Sequence, residues 1–262
     1  MTMYDNISLV LQGPVSDKNR IDFRHAIDDY KKVFPEIIVS TYTEHLDREF
    51  IDFCNIHNIV LVHQTVNYDP KYKIEYVNRD YNLPLHTLST LFGLKASTKK
   101  YSLKHRTDER YTNIYKVIDK LFQDDEKQVT GSSYLCSKLE GFFFESPDHI
   151  MAAKTEKLIR AFDLTLERLS QGKFEKNNDG DPAPEITFTK NFIRSHGEDP
   201  DMNIHDDQMI KYFDFINDRE MFPFVIRCNS GNMMLTQISQ IDPSLEGMYD
   251  MRQAINRIPV QW

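Results

Sequence analysis

The sequence has little cysteine, no long apolar run and no excess of basic residues. Cys54, Cys136 and Cys228 are the only three cysteines among 262 residues, and none forms a Cys-x-x-Cys pair. Neither a disulfide framework nor a structural zinc site is therefore predicted. No stretch approaches the ~20 apolar residues of a membrane span, and the polar N-terminus does not resemble a signal peptide. We therefore expect a cytoplasmic protein without a transmembrane segment.

The charge and the missing motifs exclude several classes of protein. A formal net charge of −8 argues against a nucleic-acid partner, because a phosphate backbone requires clustered Lys and Arg. The sequence contains no P-loop, no Gly-x-Gly-x-x-Gly, no Gly-x-Ser-x-Gly and no His-Glu-x-x-His. P-loop, dinucleotide-binding, hydrolase-elbow and zincin functions are therefore not predicted.

Short β-branched runs alternate with helical patterns in the first part of the chain. Strands are predicted at 7–11, 36–41, 59–63 and 101–104, and helices at 20–34, 50–57 and 78–97, with Pro84 kinking the last helix or marking its true start. This alternation predicts βαβ units and an α/β fold with a central, mostly parallel sheet flanked by helices.

The second part of the chain is predicted to be mainly helical. Helices are expected at 113–122, 146–169, 184–196 and 206–215, with further strands at 129–135 and 222–228. Residues 171–184 are rich in Gly, Asn, Asp and Pro, which indicates a mobile loop or a boundary. We expect a single domain over 1–262, with a nucleotide-binding half at 1–110 and an acceptor-side half at 111–262.

Ligands of open α/β sheets bind beyond the carboxyl ends of the strands, and polar residues follow the first two predicted strands there. Gln12, Gly13 and Pro14 end the first strand, and Thr41 and Tyr42 end the second. These five residues are candidate ligand contacts. Ordinary turn chemistry is an equally good explanation for them.

The end of the fourth predicted strand combines an acid with several cations. Asp108 lies close to Lys104, Arg106 and Arg110. A divalent ion on a diphosphate needs one or two carboxylates, and cations for the remaining phosphate charge. The alternative is a solvated surface ion pair between Arg106 and Asp108.

Three further positions are candidates for binding or acid–base chemistry. Asn78 and Arg79 open a predicted helix, where an anion would bind, although an N-cap with a solvated Arg would look the same. The step His205-Asp206-Asp207 precedes another helix. One of its two carboxylates suffices as a cap, which leaves the other as a general base and His205 as a metal ligand. Glu185 is a third candidate acid, or a first-turn residue stabilised by the helix dipole.

Five segments, taken in order, resemble the WavE family, which is associated with lipopolysaccharide and surface-polysaccharide synthesis and is similar to GT-A glycosyltransferases. The segments are Ile7–Pro14, Ile37–Tyr42, Asn78-Arg79, Gly93–Lys95 and Tyr101–Asp108. The resemblance covers about residues 6–110. It implies a Rossmann-like GT-A fold in which the first two strand ends contact the donor nucleotide.

The resemblance also implies roles for individual residues. Arg106-Thr107-Asp108 stands where other GT-A enzymes carry Asp-x-Asp, so that Asp108 is the only carboxylate of the usual pair. Arg106 would then offset phosphate charge directly. The His205-Asp206-Asp207 step resembles the Glu-Asp step of inverting enzymes, whose acid deprotonates the acceptor.

The sequence hypothesis is sugar transfer from a nucleoside diphosphate sugar to a hydroxyl of a glycan or glycolipid in surface-polysaccharide synthesis. Asp108 would hold Mn²⁺ or Mg²⁺, and Asp206 or Asp207 would be the base. Two alternatives remain open. One is a nucleotidyltransferase acting on sugar phosphates, although Gln12-Gly13-Pro14 is a poor substitute for its usual Gly-rich basic loop. The other is a non-catalytic glycan-binding protein of the same fold.

Overall fold

The fold is of the α/β class, with one central sheet and helices on both of its faces. The computed structural model describes residues 3–15, 20–65, 83–109, 111, 114–131, 144, 148–176 and 183–216. The strands within these residues are β1 Ile7–Gln12, β2 Glu36–Tyr42, β3 Val60–Gln64, β4 Tyr101–Arg106, β5 Gln128–Gly131, β6 Ile150–Lys154 and β7 Phe213–Ile216. The α-helices are α1 Arg20–Tyr30, α2 Arg48–Ile56, α3 Leu83–Ala96, α4 Tyr115–Leu121, α5 Thr155–Ser170, α6 Pro184–Ser195 and α7 His205–Tyr212. Short 3-10 turns cover Met3–Asn6, Thr43–His45 and Met202–Ile204.

The strands form one seven-stranded sheet in the order β3-β2-β1-β4-β6-β5-β7. Strands β1 to β4 pair in parallel, and β7 is parallel to β5. Strand β6 is antiparallel to both of its neighbours, β4 and β5. The predicted fold class, α/β with a mostly parallel sheet flanked by helices, is confirmed. The sheet takes strands from both halves of the chain, and the division at residue 110 stays a prediction.

The two faces of β1 belong to two separate apolar clusters. Ile7 and Leu9 pack on one face with Phe23 of α1. Val10, which points to the other face, packs with Leu91 of α3. Because successive side chains of a strand point to opposite faces, a strand covered on both sides is apolar at nearly every position. This explains the uninterrupted apolar run at the start of the sequence.

Gly93 lets α3 approach the sheet closely at the centre. A Cβ atom on Gly93 would lie 2.6 Å from Cγ1 of Val10 and 2.9 Å from Cβ of Ser40. Both distances are well below van der Waals contact, so α3 keeps its position over β1 and β2 only with glycine here. The carboxyl ends of these two strands therefore lie against the first half of α3.

Gly93→Ala should lower the free energy of unfolding by about 1–3 kcal/mol, since the added methyl group forces α3 away from the sheet. The midpoint of urea denaturation measures this. Lys95→Ala is the control on the same helix, since the Lys95 side chain is 39% exposed and pairs with Asp163 at 2.9 Å. It should cost less than about 1 kcal/mol. Equal losses for the two variants would contradict the close approach.

The predicted helix at 146–169 is wrong in its first part, because Ile150–Lys154 is strand β6 and α5 begins only at Thr155. Ile150 and Ala152 belong to one apolar cluster, and Met151 and Ala153 to the other. A run that is apolar at every position carries no period, so its sequence does not separate a buried strand from a buried helix.

The predicted helix at 206–215 is too long at its end, since α7 stops at Tyr212 and Phe213–Ile216 forms β7 beside β5. The described part of the second half of the chain thus contributes three strands beside its four α-helices. The predicted strand at 129–135 is β5, Gln128–Gly131, as far as the structure describes it. The predicted strand at 222–228 lies outside the described residues.

Glu175 joins the described start of the predicted loop 171–184 to α6. The Ala183 amide donates to the carbonyl of Glu175 at 3.0 Å, and the Glu175 amide donates to Oγ1 of Thr187 at 3.3 Å. The mobility of the loop stays a prediction.

Within the part of the chain that the structure describes, none of the helices has the length and hydrophobicity of a membrane span.

Candidate functional site

The carboxyl ends of β1, β2 and β4 place three polar side chains in one row. Gln12 pairs in register with Ser40 on one side and with Arg106 on the other. We call Gln12, Ser40 and Arg106 the carboxyl-edge row. Nε2 of Gln12 donates to Oγ of Ser89 at 2.9 Å, whereas Oε1 of Gln12 and Oγ of Ser40 are buried without a hydrogen-bond partner. Buried polar atoms are rarely left unsatisfied, so the Gln12 oxygen indicates a place for a ligand or water. Ser40, in contrast, is fully buried beneath Gly93 of α3.

The turn after β1 is tied to the end of β4. Gly13 has φ +124°, and its amide donates to the Ser40 carbonyl at 3.1 Å. Thr107 donates from Oγ1 to the carbonyl of Pro14 at 2.8 Å. A Cβ atom on Gly13 would lie 3.1 Å from this Oγ1. The positive φ and the close hydroxyl both favour glycine, so the exposed Pro14 is held beside the strand-four end.

The end of β2 is buried. Thr41 is fully buried and its Oγ1 has no hydrogen-bond partner. Tyr42 donates its hydroxyl to the carbonyl of Leu85 in α3, and burial raises the pKa of this tyrosine well above its usual range. Tyr42 therefore positions α3, whereas Thr41 offers another unsatisfied oxygen.

Arg106 and Asp108 form an ion pair, but not the solvated one that the sequence allowed. Nε and a terminal nitrogen of Arg106 donate to the two carboxylate oxygens of Asp108, both at 2.8 Å. The Asp108 side chain is 3% exposed, and the Arg106 side chain is 27% exposed. The Arg106 side chain is thus partly open to solvent, whereas the Asp108 side chain is not.

Two further acids surround this pair, and each is held by a histidine. Glu109 accepts from Tyr111 at 2.8 Å and contacts Nδ1 of His149. Asp148 lies 3.0 Å from Nδ1 of His86. Lys104, which is fully buried, donates its ammonium to the backbone carbonyl of Asp148. We call these side chains together the buried charge cluster: His86, Lys104, Arg106, Asp108, Glu109, Asp148 and His149.

The protonation of the cluster follows from its contacts. Burial opposes ionisation of Glu109, but the charge and hydrogen bond of His149 lower the pKa of Glu109 to about 2. Burial also opposes the charge on His149, but Glu109 raises the pKa of His149 above its usual value. With His149 protonated, the cations Lys104, Arg106 and His149 balance the three acids Asp108, Glu109 and Asp148.

Two histidines are buried in the neutral form. Burial, together with repulsion from Lys104, lowers the pKa of His86 to about 4. Burial also lowers the pKa of His105 to about 4. His105 lies between the rings of Tyr30 and Tyr111, each at 5.2 Å between ring centres, and its Nδ1 is 2.8 Å from the Arg106 carbonyl.

We expect the free energy of unfolding to fall as the pH drops from 6.5 to 4. An imidazole of the unfolded chain titrates near 6.5, so the unfolded state binds more protons than the folded state across this range. Each buried histidine contributes a loss of up to roughly 1.4 kcal/mol per pH unit.

His105→Phe tests this expectation, because phenylalanine keeps the ring packing and removes the titrating group. Urea denaturation at pH 6.5 and 4.5 should show a fall in stability that is about 2 kcal/mol smaller than that of the unchanged protein. The same fall in both proteins would show that His105 does not titrate in this range.

The acidic start of α7 has a defined hydrogen-bond geometry. The amide of Phe144 donates to Nε2 of His205 at 3.0 Å, and Nδ1 of His205 lies 2.9 Å from Oδ1 of Asp206. Since Nε2 accepts, Nδ1 carries the proton and donates it to Asp206. His205 therefore orients the Asp206 carboxylate. Asp206 and Asp207 are both exposed in the first turn of α7, and Glu185 is half-buried in the first turn of α6.

The described residues do not suit a divalent ion. The lone pair on Nε2 of His205 accepts from the Phe144 amide and is not available to a metal. Both oxygens of Asp108 accept from Arg106, whose positive charge repels a dication at the same carboxylate. Among the residues that the structure describes, no three His, Cys, Asp or Glu side chains form a group that could hold a metal ion. Mn²⁺ or Mg²⁺ at Asp108 and His205 thus stays a prediction, and the chemistry below is derived without it.

Sequence reasoning missed most of the buried charge cluster. His86, Glu109, Asp148 and His149 were not among the candidates. The apolar run Ile150–Ala153 was the available signal, because a strand there brings its preceding residues to the carboxyl end of β4. The candidates Asn78 and Arg79 lie outside the described residues.

The fold resembles several solved structures. One is glucosyl-3-phosphoglycerate synthase from Mycobacterium tuberculosis in complex with Mn²⁺, UDP and glucosyl-3-phosphoglycerate, at 12% identity over 81% of this chain and 70% of that chain, with a TM-score of 0.45. A complex of the same enzyme with Mn²⁺, UDP-glucose and glycerol 3-phosphate gives 11% identity, the same coverage and a TM-score of 0.44. HddC from Yersinia pseudotuberculosis gives 8% identity over 59% of this chain and 79% of that chain, with a TM-score of 0.39.

No protein-family model matches the sequence, and no curated protein matches it. The WavE-like resemblance therefore stays a prediction. The structural likenesses are partial, so the functional argument rests on this chain's own residues.

Proposed function

We propose that this chain is a GT-A-type glycosyltransferase that moves a sugar from a nucleoside diphosphate sugar to a hydroxyl of a glycan or glycolipid acceptor. The observation that carries the proposal is the carboxyl-edge row, in which Gln12, with an unsatisfied side-chain oxygen, pairs in register with Arg106 at the ends of two parallel strands. A nucleotide sugar combines hydroxyl and amide groups with an anionic diphosphate. The row offers a hydrogen-bonding oxygen for the former and a cation for the latter.

The parallel strand ends support a donor in this position. Ligands of open α/β sheets bind where the carboxyl ends of the strands meet, and β1, β2 and β4 end together here. Gly13 and Pro14 extend the row from β1, whereas the buried Thr41 points to the opposite face of the sheet from Ser40. Lys104 is fully buried, so it acts on the phosphates through its charge and not by contact.

The reaction needs a base for the acceptor and a cation for the leaving group. Asp206 or Asp207 takes the proton of the acceptor hydroxyl while its oxygen forms the new bond to the anomeric carbon. The bond from that carbon to the phosphate breaks, and the nucleoside diphosphate leaves with its charge stabilised by Arg106. Glu185 is the alternative base. The proposed setting is surface-polysaccharide synthesis in the cytoplasm.

The test is release of nucleoside diphosphate from a panel of nucleotide sugars by the purified chain, with and without glycan acceptors. We expect release with at least one donor, stimulated by an acceptor. A chain that binds glycans and leaves every donor intact would be the non-catalytic alternative. Formation of a nucleotide sugar from a sugar phosphate and a nucleoside triphosphate would instead identify a nucleotidyltransferase.

Asp206→Asn and Asp207→Asn should identify the base. One of them should lower kcat by roughly 100-fold or more and leave nucleotide affinity unchanged, because the base contacts the acceptor and not the donor. Asp199→Asn is the control, since the Asp199 side chain is 98% exposed. Full activity in both variants would move the assignment to Glu185.

A further inference from the structure

We propose that Asp108 is the counter-ion of Arg106 when no donor is bound. When the donor binds, its diphosphate takes the place of the Asp108 carboxylate on the Arg106 guanidinium, and no divalent metal is needed. This inference rests on the proposed function, since it concerns the same donor. It assigns Asp108 to an internal counter-ion, whereas the Asp-x-Asp comparison makes it a metal ligand.

The exposure of the two partners decides which of them a ligand reaches. The Arg106 side chain is 27% exposed, and that of Asp108 is 3% exposed. A phosphate arriving from solvent meets the guanidinium first. A metal ion, in contrast, would have to reach the Asp108 oxygens. These belong to the less exposed partner, and both accept from Arg106 at 2.8 Å.

The geometry of the pair matches a phosphate as well as a carboxylate. Guanidinium donates two parallel N–H groups, and it binds carboxylate and phosphate oxygens in the same bidentate manner. A nucleoside diphosphate carries more negative charge than one carboxylate. It therefore competes for Arg106 on favourable terms, provided that Asp108 stays stabilised after the exchange.

One other cation of the buried charge cluster provides that stabilisation. Lys104 is fully buried and lies two positions before Arg106 on β4, so that both side chains point to the same face of the sheet. Asp108 therefore keeps a cationic neighbour when Arg106 turns to the phosphate.

The neighbouring acids do not supply a second metal ligand. The Glu109 side chain is fully buried and is held by His149 and Tyr111. The Asp148 side chain is 6% exposed and is held by His86. Among the described acids around Arg106, a dication would thus have the Asp108 carboxylate alone, with the guanidinium charge in direct contact with it. The repulsion between the two cations opposes binding.

Calorimetric titration of the full chain with UDP and GDP, in EDTA and again in Mn²⁺, tests the inference. We expect one nucleotide to bind in EDTA, and Mn²⁺ to change its affinity by less than about threefold. Binding that requires Mn²⁺ would overturn the inference and leave the proposed function standing. Failure of both nucleotides under both conditions would overturn the proposed function and the inference with it.

Two variants separate the roles of the pair. Asp108→Asn removes the competing charge and should tighten nucleotide binding in EDTA by roughly threefold or more, whereas loss of a metal ligand would weaken it. Arg106→Gln should weaken binding at least about tenfold. Each variant is first checked by thermal unfolding, and the titrations of the unchanged protein decide the inference if a variant does not fold.

Arg48→Gln is the matched control for Arg106→Gln. Arg48 also donates to both oxygens of an aspartate, Asp52, at 3.1 Å, but its side chain is 88% exposed on α2. It should leave nucleotide affinity unchanged. An equal loss for Arg48→Gln and Arg106→Gln would show a general charge effect and contradict a specific site at Arg106.

Discussion

The charge balance of the buried cluster at the carboxyl end of β4 constrains the positions of the side chains that pack there. Carboxylates and cations that are buried together cost free energy unless each is paired and hydrogen-bonded, and removing one partner leaves the other charge uncompensated. Asp108, Glu109 and Asp148 each have such a partner, and the protonated His149 completes the balance. This balance fixes the position of Arg106, which is the one member of the cluster with a substantial exposed side. The structure therefore holds a cation at the carboxyl edge of the sheet without leaving it unpaired inside.

The carboxyl-edge row has a different physical origin, in the register of parallel strands. Gln12, Ser40 and Arg106 come from three strands that are separated in sequence by helices, and they align because the hydrogen bonds of a parallel ladder fix the pairing. Gly93 lets α3 pack closely on the face of the sheet that carries the row. Neutral hydrogen-bonding groups thus meet the charged group at one edge, and this combination suits a ligand with both kinds of group.

The sequence was sufficient for the first half of the fold, whereas the roles of the candidate site residues stay predictions. Strands with apolar runs and clear stops, such as Ile7–Gln12, are readable because burial on both faces and the Gly-Pro turn leave one interpretation. Ile150–Lys154 was not readable, since an apolar run without a period suits a strand as well as a helix. The Arg106–Asp108 pair was one of the alternatives, but its burial was not foreseen. The histidine partners of Glu109 and Asp148 were out of reach, because His149 is 40 residues from Glu109 and His86 lies on a different element, α3, from Asp148. Patterns within one segment are visible in the sequence, whereas contacts between distant segments are not.

The reversed direction of β6 has a consequence for how the chain folds. Because β6 runs against β4, its first residue, Ile150, pairs with His105, and the residues before it, Asp148 and His149, reach the carboxyl edge. The contact between Lys104 and Asp148 spans 44 residues, so it forms only after a long loop has closed. If the core around β4 dried before β6 docked, the Lys104 ammonium would lose its water without gaining the Asp148 carbonyl. The order of assembly thus favours β6 pairing before the core around β4 dries, and the cluster forms among the later steps of folding.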